Sequence, residues 1–404
     1  MILRLARSRL AQLVMAVLFG GFLGVWRPSL ATQMKPLSDL FIASVGLVTP
    51  VVIFVLICSS VARMRADGTT LRLGFKALAY WQLMSLLSLA CGLSVASLLQ
   101  PGVSTMVTAE FSPAGMAPID IHFFAQIPAL LLAAFAQSII LKVLLAAFLA
   151  GLLLGRAGER GMALRQTLDA AVGMVFRIMH VIVFFAPLAA FGAIAFAIGK
   201  HGAGAAIPLL KFVAVAYVAC LLFIVLVMTL MVRLAGVSLL RLIVHIREEL
   251  LLVASTGSSV AALPRLIDKL EAAGCDSQLV RLILTAGYNF NLNGSNLYLG
   301  VAVLFLAQLV HIDLSAPQLL TLLLVSMFTS MGSTSVAGSA FITLTATLSV
   351  VQIVPLEAIG ILVGVERLMK CRSLTNVLGN CVACLVLARW QGAQDRARLM
   401  QVLG

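Results

Sequence analysis

Runs of about 20 apolar residues recur along this chain, and that recurrence constrains the fold more than any single motif. A helix of that length matches the hydrocarbon thickness of a bilayer. Six such runs fill the first part, at Leu10 to Trp26, Leu40 to Val61, Ala77 to Leu99, Phe123 to Leu154, Ala170 to Ile198 and Ala206 to Val232. Pro50 falls inside the second and predicts a kink, and Pro187 falls inside the fifth. With 62% of 404 residues hydrophobic and 11% charged, the balance lies outside that of soluble domains. Lipid offers the backbone no hydrogen bonds, so the spans must be helical and the fold class is an all-α polytopic membrane protein.

The net charge of +13 does not imply a nucleic-acid partner, because the basic residues sit in connections beside apolar spans. Arg63, Arg65, Arg72 and Lys76 form one cluster, Arg156, Arg160 and Arg165 a second, and Arg233, Arg241 and Arg247 a third. The connection from Gln100 to His122 contains no Lys or Arg. This alternation places both termini and the basic loops in the cytoplasm. The first apolar segment lacks a clear small-residue cleavage site and reads as a span rather than a signal peptide. Seven cysteines, mostly in apolar runs, imply no disulfide framework. Cys381 and Cys384 have redox-motif spacing, but no second pair accompanies them, so they read as packing. The five dispersed histidines predict no metal site, and His180 reads as a core residue. No nucleophile–base constellation points to an enzyme, and no cofactor is expected.

After Arg247 a two-part plan repeats. Leu250 to Val253 breaks at Ser255-Thr256-Gly257-Ser258-Ser259, resumes at Leu263, and is followed by a span interrupted at Asn289 to Asn296. Leu319 to Phe328 breaks at Thr329 to Ser335, resumes through Val351, and is followed by an apolar run from Ile359 to Trp390. Each half reads as a re-entrant hairpin with a Ser/Gly tip and a polar-bearing span. Paired interrupted segments of this kind mark the midplane site of a secondary transporter. Within the last run Arg372, Asn376 and Asn380 recur at i, i+4, i+8, on one helix face and more than a turn inside. A cation at that depth normally faces a polar cavity, and here it predicts an anion site. Arg389, at the end of the run, is expected to snorkel to the interface. The hairpin tips offer N–H groups that suit carboxylates, and unwound carbonyls near Asn289 and Asn291 suit a cation.

These segments resemble the dicarboxylate/amino acid:cation symporter family, the glutamate-transporter fold, and within it the bacterial aerobic C4-dicarboxylate transporters. Gly287-Tyr288-Asn289-Phe290-Asn291-Leu292-Asn293-Gly294-Ser295 is similar to that subgroup's GYSFNLDGT, and Ser373 to Asn380 is similar to its ALTNLVGN. Ile246 to Leu250, Ala262 to Arg265 and Gln33 to Leu37 also match, so the resemblance covers essentially the whole chain. It implies eight spanning helices plus two hairpins, a homotrimer in the bacterial inner membrane, and an elevator mechanism. Residues 1–76 and 123–235 would be mainly scaffold, with 77–99 contributing to a transport domain whose core is 241–390. Arg372 would hold one substrate carboxylate, assisted by Ser295. Asn376, Ser258, Ser259 and the second hairpin around Ser333, Val336 and Gly338 would take the other, with Ser373 beside the substrate.

Amino-acid members of the family carry an Asp for the substrate ammonium where this chain has Met369, which favours dicarboxylates over acidic amino acids. The family's sodium sites use an Asp where Asn293 stands, and amino-acid members another where Asn380 stands. The third-span hydroxyl of one site aligns with Met84, next to Ser85. Cation ligands implied by the resemblance are Gly287, Asn289, Asn291, Asn293, Ser330, Met331, Ser333, Asn376 and Asn380, with sodium or protons as the coupling ion. Glu366 also stands one residue closer to Arg372 than its counterpart does. The expected function is dicarboxylate import by symport. A dicarboxylate-binding protein with weakened or lost ion coupling, and an acidic amino acid symporter, are the alternatives.

Overall fold

A computed structural model describes residues 9–66, 71–103, 139–157, 161–202, 206–256, 259–330, 339–351, 354, 356–363, 365 and 368–404. Among these residues the chain is helical, apart from turns and one isolated bridge between Cys275 and Gln394. Four described helical segments are long and apolar enough to cross a membrane: Leu73–Leu99, Ile207–Leu234, Ser277–Leu309 and Lys370–Gln391. The last two are each 94% buried over their most apolar window. They run through the interior rather than along lipid, which is where polar residues at membrane depth can be accommodated.

The helices are α1 (Arg9–Trp26), α2 (Pro28–Thr32), α3 (Lys35–Ala66), α4 (Leu71–Leu99), α5 (Ile139–Arg156), α6 (Met162–Phe184) and α7 (Ala186–His201). α8 (Ala206–Phe223) passes through a π-helical turn, Ile224–Met228, into α9 (Thr229–Leu234). There follow α10 (Leu239–His245), α11 (Arg247–Thr256), α12 (Leu263–Ala272), α13 (Ser277–Phe290) and α14 (Asn293–Leu309). α15 (Ala316–Ser330), α16 (Ser339–Val351), α17 (Gly360–Val363), α18 (Lys370–Gln391) and α19 (Arg396–Leu403) complete the chain.

Two groupings emerge. α1, α2, α3, α5, α6 and α7 pack on one another, with α3 against α5 and α1 against α7 as the largest seams. α4, α8, α13, α14 and α18 form an inner set around α14, which lies along both α4 and α18. α8 packs on α4, α14 and α18. At Gly236, just past α9, φ is +79°, and a Cβ would strike the Arg389 guanidinium. Arg389 is exposed at the end of α18, as a snorkelling residue should be. Lys76 completes that end, lying 3.4 Å from the Trp390 carbonyl, where a cation complements the helix C-terminus.

Two sequence expectations change. The Ala170 to Ile198 span is two helices, because Pro187 takes the second position of a new helix, where its missing N–H costs nothing. α3 carries Pro50 inside it without ending there. The run from Ile359 to Trp390 is also not one helix. It passes through a 3₁₀ turn at Leu356–Ile359, the short α17 and further turns at Val365 and Leu368 before α18 starts at Lys370. Arg372 therefore occupies the first turn of α18 rather than a position well inside it. Residues 123–138 of the fourth expected span and the side chain of His180 lie outside the described residues.

Candidate functional site

Two helix starts meet in the interior. α14 begins at Asn293 after a break at Asn291 and Leu292, and α18 begins at Lys370. Each first turn leaves backbone N–H groups without intrahelical partners and carries partial positive charge. The first is capped from the other helix. Asn376 Oδ1 accepts from Gly294 N at 2.8 Å and Ser295 N at 3.2 Å, and Asn376 Nδ2 donates to Ser295 Oγ at 3.1 Å. A residue read as a substrate ligand thus also ties the two halves of the repeat together. Close approach makes this possible: a Cβ on Gly294 would overlap the Arg372 carbonyl oxygen and come within 2.9 Å of two more of its backbone atoms.

Arg372 is 8% exposed, and its guanidinium lies 5.6 Å from the centre of the Tyr298 ring. That face contact orients the fork. Ser259, at the resumption of the first hairpin, hydrogen-bonds the Ser373 carbonyl at 3.4 Å. The structure therefore brings Ser259, Ser295, Arg372, Ser373 and Asn376 into one neighbourhood. A buried guanidinium in the first turn of a helix concentrates positive potential from two sources, and an anion is the natural complement. Ser258, Ser333, Val336 and Gly338 lie outside the described residues. Sequence reasoning missed Tyr298 and the need for glycine at 294. The signal for Tyr298 was its i+3 spacing from Ser295 along α14.

A second polar cluster lies behind the first. Asn291 Nδ2 donates to Asn380 Oδ1 at 3.0 Å and to the Gly379 carbonyl at 3.2 Å. Gly287 has no side chain because a Cβ there would collide with Asn380 Oδ1. Asn293 is fully buried, and among the described residues both its amide atoms, and Asn291 Oδ1, lack hydrogen-bond partners. Such oxygens can ligate a cation through dipoles but supply no formal charge. Met84 is fully buried and Ser85 nearly so on α4, which packs along α14. The Gly287 carbonyl accepts from Asn291 N at 2.8 Å, and Ser330 Oγ donates to the Met327 carbonyl at 3.0 Å, which leaves each oxygen a lone pair. Asn289 lies in the last turn of α13, and Met331 and Ser333 fall outside the described residues.

Broken helices whose first turns converge on a buried arginine, inside a bundle of apolar helices, define a multi-pass membrane transporter. Residues 10–390 match the model of the sodium:dicarboxylate symporter family, and the chain belongs to that family. It is 41% identical over 403 residues to the "C4-dicarboxylate transport protein" of Burkholderia multivorans, covering 97% of this chain and 94% of the relative. The proteins of the same name from Burkholderia cenocepacia (41% identical) and Burkholderia ambifaria (40%) match over the same shares.

Proposed function

We propose that this protein is a symporter importing C4-dicarboxylates such as succinate, fumarate and malate across a bacterial inner membrane. The observation that carries the reading is Arg372, buried in the first turn of α18 against the start of α14. Family membership and the relatives' names support the substrate class. In this proposal Arg372 holds one carboxylate with Ser295, and Asn376 keeps one N–H for the other, together with Ser258, Ser259 and the second hairpin at Ser333, Val336 and Gly338. Ser373 lines the pocket. Met369, 3% exposed at the N-cap of α18, offers no charge to an ammonium, so a zwitterion would bury an unpaired cation.

The proposed architecture is eight spans and two hairpins in a homotrimer, with both termini cytoplasmic. An elevator would move residues 77–99 and 241–390 against a scaffold formed mainly by 1–76 and 123–235. We place α8 with the moving unit, because its packing partners are α4, α14 and α18. The neutral amides at Asn293 and Asn380 favour a second reading, binding without ion coupling. Labelled-succinate uptake into proteoliposomes under separate sodium and proton gradients decides between the two. Gradient-driven uptake in wild type and none in Arg372→Ala supports the symporter. Uptake indifferent to either gradient supports the second reading, and wild-type succinate affinity in folded Arg372→Ala refutes the site.

A further inference from the structure

The start of α18 is held by a residue that does not belong to the site itself. α18 opens on a long bond: Arg372 N donates to the Met369 carbonyl at 3.3 Å, and Met369, the N-cap, makes no side-chain cap. In a helix that continued backward, Arg372 N would donate to the Leu368 carbonyl instead, four residues earlier. That acceptor is taken by α8. The Tyr217 hydroxyl donates to the Leu368 carbonyl at 2.9 Å, across 151 residues of sequence. α8 reaches the site a second time through Phe212, whose ring meets that of Tyr298 edge-on at 6.0 Å, and Tyr298 lies against the Arg372 guanidinium. The backbone that carries Arg372 and the ring that faces its fork are thus both supported by one helix. We propose that Tyr217 is a positioning residue, anchoring the first turn of α18 so that Arg372 selects diacids by chain length.

Anchoring matters because of where Arg372 sits. It is the third residue of α18, and helix ends fray unless their backbone groups find partners. Thr375 ties the turn from within, its hydroxyl donating to the Cys371 carbonyl at 2.9 Å, but that bond moves with the helix. The Tyr217 bond fixes the turn to a second helix, at the residue just ahead of the N-cap. An arginine held still presents its fork at one distance from the Asn376 amide. A diacid whose carboxylates match that distance gains both contacts without ordering the site first. A fraying first turn lets the fork follow shorter or longer diacids, and the one that fits loses its advantage. The chain-length effect rests on the functional reading above, but the anchoring itself does not. Tyr217 is 43% exposed, so Tyr217→Phe removes one oxygen and opens no buried cavity.

Full-length Tyr217→Phe is purified beside wild type, with Leu221→Ala, one turn further along α8 and 61% exposed, as the control. Calorimetric titration with malonate, succinate and glutarate gives affinity and chain-length preference. Hydrogen exchange of the peptide spanning Leu368 to Leu374 reports on the anchor. Tyr217→Phe should bind succinate about tenfold more weakly, the worth of one hydrogen bond. It should also lose most of the preference for succinate over malonate and glutarate, and exchange faster over Leu368 to Leu374. Leu221→Ala should match wild type in every measurement. Unchanged exchange over that peptide overturns the proposal, as does wild-type succinate affinity in Tyr217→Phe. So does an equal loss for all three diacids, which is what general loosening would give, or a wild type with no chain-length preference to lose. If wild-type protein binds none of the three, the functional reading fails, while hydrogen exchange still decides whether Tyr217 anchors α18.

Discussion

Asn376→Asp separates the architectural role of residue 376 from its electrostatic one. A carboxylate can still accept from Gly294 N and Ser295 N, so the cap on α14 survives. What changes is charge. Residues 372 and 376 are one turn apart on α18, roughly 6 Å between side-chain positions. At an effective dielectric of ~20, unit charges at that distance interact by about 2.8 kcal/mol. The new carboxylate would hold Arg372 internally and repel a dianion, weakening succinate binding by about a hundredfold. Asn376→Leu behaves differently, because it strands two buried N–H groups at a cost of roughly 1–3 kcal/mol each. Thermal unfolding in detergent and succinate titration read the two effects separately. Asn376→Asp should unfold near the wild-type temperature with poor binding, and Asn376→Leu should unfold early. Wild-type succinate affinity in a folded Asn376→Asp protein would refute the argument.

Three further outcomes are expected. Gly294→Ala drives a methyl into the Arg372 backbone, which cannot yield as a side chain could; it should destabilise by about 1–3 kcal/mol and lower succinate affinity more than tenfold in a ligand titration. Asn293→Asp adds a formal charge to a buried cluster of amides, so sodium titration against succinate affinity should show steeper dependence than in wild type, where at most about one ion is expected; a multi-ion dependence already present in wild type would contradict this. Lys269 contacts Glu249 at 2.7 Å and the His245 carbonyl at 2.8 Å, and Glu249 is 1% exposed. Lys269→Met should therefore cost about 3–5 kcal/mol in thermal unfolding, and adding Glu249→Gln should recover most of it.

What the chain displays by itself are local properties: its apolar runs, and the charge and Asn-rich breaks that stand within them. Hydropathy over about 20 residues decides what enters a bilayer, and a charge or an Asn-rich break within such a stretch stands out against it. The membrane class, and the resemblance carried by Asn289 to Ser295 and Ser373 to Asn380, needed nothing beyond the chain itself. Where α18 begins was not legible, since the residues from Ile359 to Met369 are on average as apolar as those that follow, and the chain turns at Val365 and Leu368 before the helix starts at Lys370. Nor was the cap that Asn376 places on α14, because its partners are 81 and 82 residues away in sequence. The same holds for Tyr298 beneath Arg372 and for α8 against the inner helices. Those contacts exist only once the broken helices are packed start to start. The missing side chain at Gly294 sets how closely they approach, and no period or composition in the sequence encodes that distance.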